Sequence, residues 1–144
     1  MALTNGNFVV VSHAWSNGVG ANTWASGTRG RTRPVSANNS LIGTTVYFGP
    51  IVMALSDGNY TLTNTYSSSD AGIAAGEITL ASGNFGLVGT VQPWNSVIGM
   101  KAYAGSGIVA AYDTSRQRLV VGRPYENIVS LFTMDQIFAN NLEP

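Results

Sequence analysis

At 144 residues, 44% of them apolar, the chain has room for one domain with a core of its own or for part of a larger repeat array. Charged residues make up only 10%, against about a quarter in typical domains, and seven basic side chains balance seven acidic ones. Neutrality argues against a general binder of nucleic acid or acidic membrane, and the absence of cysteine removes disulfides, a thiolate nucleophile and thiolate-held metal.

The predicted elements are short strands. Thr4-Asn5-Gly6-Asn7 is a turn, since Asn-Gly tolerates positive φ, and Phe8 to Ser12 is a strand rich in β-branched residues. A loop through His13, Ala14 and Trp15 leads to a second strand, Asn22 to Ala25. Gly27 to Pro34 is a polar loop, Leu41-Ile42 centres a third strand, and Thr45 to Phe48 precedes a turn at Gly49-Pro50. Further strands follow at Ile51 to Leu55, Tyr60 to Thr65, Glu77 to Ala81, Ser96 to Gly99, Ile108 to Ala111 and Leu119 to Val121. In the tail, Met134, Ile137 and Phe138 fall near one face of a short helix over Phe132 to Asn141. No run approaches the roughly 18 apolar residues of a membrane span. The N-terminus has neither the basic nor the apolar region of a secretory signal.

These elements repeat. Leu3-Thr4-Asn5-Gly6-Asn7-Phe8 recurs as Leu55-Ser56-Asp57-Gly58-Asn59-Tyr60 at an offset of 52. Trp24-Ala25-Ser26-Gly27 recurs as Leu80-Ala81-Ser82-Gly83, and Ala37 to Gly43 as Pro93 to Gly99, both at 56. About four extra residues must therefore enter unit two, and the Ser-, Ala- and Gly-rich stretch Thr65 to Ala75 is their place. Ile51 to Ala54 is echoed by Ile108 to Ala111 at 57, and Gly76 to Leu80 by Glu126 to Ser130. The chain divides into unit one (1–50), unit two (51–107) and a partial unit three (108–144). A period near fifty in an all-β chain predicts a propeller or another array.

The residues Leu3 to Gly18, Thr23 to Gly27 and Val35 to Gly43 resemble the adhesin-like β-propeller repeats of large bacterial surface proteins. That resemblance implies an all-β fold of blades with about four short antiparallel strands each, and a bacterial surface or extracellular setting. It brings no catalytic residues. Two and a half blades cannot close a ring, for which four to eight are typical. A homodimer of about five blades, or a homotrimer, is therefore expected to close it.

Two groups of side chains are candidate ligand sites. Arg29, Arg31 and Arg33 share one loop, and planar guanidinium groups suit phosphate, sulfate or an acidic glycan; the plainer expectation is a solvated loop or an interface between chains. Trp15 and Trp94 lie in loops and suit sugar stacking, together with Tyr47, Tyr66 and Tyr103, whereas Trp24 lies within a strand and is expected to pack between blades. Asp57, Asp70 and Asp113 are expected as turn formers, because no D-x-D-x-D spacing is present. The lone His13 lacks a nucleophile-elbow motif around any serine, and zinc would need more than one histidine. The sequence thus predicts a non-catalytic binding or structural module, adhesive or carbohydrate-binding, with no cofactor. The alternatives are anion or nucleic-acid binding through the arginine loop and, behind that, an enzyme with its site at a chain interface.

Overall fold

The computed structural model describes residues 1–46, 49–70 and 72–134. They form three open β-sheets laid in succession, and among them no sheet closes into a barrel and no ring is complete.

Sheet one holds β1 (Phe8–Ser12), β2 (Ala21–Ala25) and β3 (Leu41–Ile42), with Ala2 bridging Phe8 at the outer edge. Sheet two holds β4 (Ile51–Ala54), β5 (Tyr60–Asn64), β6 (Glu77–Ala81) and β8 (Ser96–Ile98), all antiparallel in that order. Between β6 and β8 the chain reaches back: β7 (Gly89–Thr90) pairs parallel with β3 and becomes the fourth strand of sheet one. Sheet three is β9 (Val109–Asp113), β10 (Arg118–Arg123) and β11 (Ile128–Thr133).

The strand registers confirm the repeat at atomic level. Phe8 pairs with Ala25 and Tyr60 with Ala81, so the offset is 52 on one strand and 56 on the next. The added residues lie between β5 and β6, where residues 65–76 replace the shorter 13–20. Hydrogen bonds repeat as well. Thr23 Oγ1 and Ser40 Oγ are 2.7 Å apart, Thr79 Oγ1 and Ser96 Oγ 2.6 Å. Ser40 donates its one proton to Asn39 Oδ1, and Ser96 does so to Asn95 Oδ1, so each threonine must be the donor to its serine. These chains tie the last strand of each unit to its neighbour and to the loop before it, using groups that burial would otherwise leave unpaired.

Unit three corrects the alignment drawn from sequence. Ala54 pairs with Tyr60, and Tyr112 with Leu119, so β9 follows β4 at 58 rather than 57. Likewise Tyr60 pairs with Ala81 and Leu119 with Phe132, so Ile128 rather than Asn127 takes the place of Glu77. A one-residue slip sends every side chain of a strand to the opposite face, and the buried residues decide which register holds. Phe132 and Thr133 belong to β11, which displaces the start of the expected tail helix; residues 135–141 of that segment, and Tyr47 and Phe48, lie outside the described residues.

Two apolar layers hold the sheets together. Val9 and Leu41 of sheet one meet Val52, Tyr60, Leu62 and Ala81 of sheet two. The opposite face of sheet two, through Ile78, Leu80 and Val97, meets Leu119, Val121 and Phe132 of sheet three. The first junction is also clasped by polar groups. The Gly83 carbonyl accepts from Trp24 Nε1, Asn5 Nδ2 and Asn7 Nδ2, each at 2.8 Å. Gly83 must be glycine, because a Cβ there would collide with the Gly58 carbonyl oxygen; Gly27 stands in the same relation to Gly6. At the second junction Tyr112 donates to Asp57 Oδ2 at 2.7 Å, and burial and that bond push its phenol up to about 12.

Candidate functional site

The repeat supplies an internal control. Where unit two copies unit one, the residue serves the fold; where it departs, another demand is at work. Three departures stand out, and all three converge on one place.

The first is Glu77. Its counterpart by register is Ala21, since Ser12 pairs with Ala21 and Asn64 with Glu77. A carboxyl thus replaces a methyl at a position only 2% exposed. The second is the longer loop 65–76, which supplies Ser67, Ser68, Ser69 and Asp70. The third is Trp94, which replaces Asn38 in otherwise matching loops and keeps 37% of its surface in solvent.

Glu77, Ser68, Ser69, Asp70 and Trp94 line one open cleft of about 1150 Å³. All three sheets contribute to its walls. Thr44 and Thr45 follow β3, Ser96 to Ile98 are β8, and Arg123 and Ser130 come from sheet three. The cleft therefore sits beside the later strands of the three sheets.

Its electrostatics are uneven. Ser67 donates to Glu77 Oε2 at 2.5 Å, while Oε1 has no hydrogen-bond partner among the described residues. Burial raises the Glu77 carboxyl to about 7, and the Ser67 hydrogen bond only partly opposes it. At neutral pH the group is poised between acid and carboxylate, so it can either donate to a ligand or accept from one. Arg123 does not neutralise it. That guanidinium is bound at 2.7 Å to Glu126, at 3.1 Å to the Ile98 carbonyl and at 3.2 Å to Ser130 Oγ. The Arg123–Glu126 pair is almost wholly buried and fixes the sheet-three wall.

Of the residues singled out from sequence, Trp94 and Asp70 line this cleft. Trp15 is half-buried in an irregular helical turn, residues 15–18, within unit one's counterpart of the 65–76 loop; Ser16 and Asn17 there are left-handed. Arg29, Arg31 and Arg33 do come together, around a shallow depression of about 800 Å³ beside Trp24. Arg31 Nε donates to the Trp24 carbonyl at 3.0 Å and its guanidinium lies 5.8 Å from the Trp24 ring, so it is partly spent on holding its own loop. Trp24 packs against Gly86 at the sheet-one junction, as its strand position predicts. Tyr66 and Tyr103 are exposed. Asp57 Oδ1 accepts from the Asn59 amide and Asp113 Oδ1 from those of Ser115 and Arg116, the contacts of turn formers. Among the described residues no three His, Asp or Glu side chains converge to hold a metal, and no helix is long and apolar enough to cross a membrane.

Sequence reading missed Glu77 and Arg123 as site residues. Arg123 carries no motif. Glu77 had a signal: the alignment at offset 56 already sets it against Ala21, an acid against an alanine inside a strand.

Comparison with curated proteins and with solved structures gives no match. The family profile of a repeat of unknown function matches residues 2–47 and 54–108, more than half of the chain and two copies in succession. The chain accordingly belongs to the family described as a repeat of unknown function (DUF5650).

Proposed function

We propose that the chain is a non-catalytic binding module of β-propeller type, adhesive in setting, whose cleft takes a neutral, hydroxyl-rich ligand such as a glycan. One observation carries the reading: three departures of unit two from unit one, at Glu77, at 65–76 and at Trp94, all line the same cleft. An exposed indole offers an apolar face to a sugar ring. The side chains of Thr44, Ser68 and Glu77 offer placed hydrogen-bonding groups behind it. The Glu77 oxygen without a partner matches a ligand hydroxyl, because a buried polar atom gains most from a bond that burial has denied it.

A glycan array followed by calorimetry tests this. Trp94→Ala should abolish binding of any hit, and Trp15→Ala should leave it intact. An array with no hits, or a Trp94→Ala variant that binds normally, overturns the reading; cleavage of a bound glycan overturns its non-catalytic half. The second reading rests on the depression shared by Arg29, Arg31 and Arg33, which suits an anion. Retention on a heparin column that falls with salt is its expected signature, since binding a polyanion releases counterions.

A further inference from the structure

The three sheets cover one another in one direction only. Ile78 and Leu80 of sheet two are 1% and 0% exposed because sheet three lies on them. By register their counterparts in sheet three are Val129 and Leu131, and these are 72% and 60% exposed. Val109, on the same face through its pairing with Gly122, is exposed too. The array thus ends on an apolar sheet face of the kind that is covered one sheet earlier.

The other end shows the complementary half. Sheet two meets its predecessor with Tyr60 and Leu62, both 1% exposed. Their counterparts on sheet one are Phe8 and Val10, the first half-buried and the second exposed. The loop that clasps the preceding sheet in unit two runs through Gly83, whose carbonyl takes three donors. Its unit-one counterpart runs through Gly27 and carries the three arginines, exposed at the free end of the array.

The geometry points to a second copy of this chain as the occupant. Sheet one of one copy docks on the outer face of sheet three of the other, head to tail, reproducing the junctions already present within the chain. The contact is heterologous, so it closes a ring when the rotation per sheet allows and extends otherwise. Two copies bring six sheets, within the usual range of about four to eight for a closed propeller. The inference is independent of what the cleft binds.

Introducing a charge on one face at a time, with complementation, tests it on the full chain by analytical ultracentrifugation. The unmodified chain should exceed its monomer mass of 15.1 kDa. Val10→Lys and Val129→Lys should each sediment as monomers. An equimolar mixture should regain a dimer, because the first variant keeps its tail face and the second its head face. A wild-type monomer at every concentration overturns the proposal, whether the face is covered by the chain's own end or by nothing. So does assembly of Val10→Lys alone, which means tail-to-tail pairing, or a mixture that stays monomeric while both variants keep their near-UV circular dichroism. Hydrogen exchange of β11 amides in the unmodified chain is a check free of mutation. It should slow as concentration rises, and equal rates at all concentrations overturn the proposal as well.

Discussion

Replacing Glu77 with glutamine should remove a pH dependence of folding that the wild type carries. The carboxyl titrates at about 7 in the folded chain because burial disfavours its charge, against an ordinary 4.5. Between those values the folded state still holds a proton that the unfolded state has released. Stability therefore falls as pH rises through that window; below it neither state is charged, and above it the whole penalty stands. At about 1.4 kcal/mol per pH unit the loss totals about 3 kcal/mol, and the near-complete burial of the side chain means that solvent does not screen it away. Urea unfolding followed by tryptophan fluorescence, at several pH values between 4 and 8.5, reads the quantity directly. Glu77→Gln should match wild type at the acid end and exceed it by about 3 kcal/mol at the basic end. A difference between the two proteins that does not change with pH would refute the reasoning, for it would mean that the carboxyl ionises as readily inside as outside.

Trp24→Ala should cost about 3 kcal/mol in the same assay, through lost packing on Gly86 and the lost bond to the Gly83 carbonyl; a cost under 1 kcal/mol would mean the clasp is idle. Gly83→Ala should cost more than Gly30→Ala, because a Cβ at Gly83 meets the Gly58 carbonyl, while Gly30 has open space and only its positive φ to oppose a side chain; equal melting temperatures would contradict this. Ser96→Ala strips Thr79 of its acceptor and Asn95 of a donor, and should destabilise by about 2 kcal/mol, as should Ser40→Ala at the matching position. If the two serines differ widely, the repeated network is not energetically repeated.

Apart from β7, the strands of the two complete units were legible because each has a pattern and a boundary. β1, β3 and β6 run over residues that alternation and flanking turns mark out, and the Asn-Gly and Asp-Gly turns set where β1 and β5 begin. What was not legible has no side-chain code. β7 is Gly89–Thr90, and it is held by backbone bonds: the Gly89 amide to the Ser40 and Ala37 carbonyls, the Val91 amide to that of Ile42. Nothing in those residue types names a partner in another unit. The register of unit three slipped because runs such as Ile108-Val109-Ala110-Ala111 are apolar on both faces, so hydrophobicity cannot tell one alignment from the next. For the site, Trp94 was visible as an aromatic in a loop. Glu77 was hidden because a single acid inside a strand looks like an edge residue until its burial is known.

The crossing of β7 gives the array a property that beads on a string lack. Each unit of this kind would complete the sheet before it rather than only its own. A gene duplication that adds a unit then adds a stitch along with it, and an array lengthens without acquiring a weak seam. Under a pulling force such links do not peel one at a time, because freeing sheet one requires tearing a strand out of the middle of unit two, between β6 and β8. A chain built this way trades the freedom to lose a unit for resistance to being unravelled from its end.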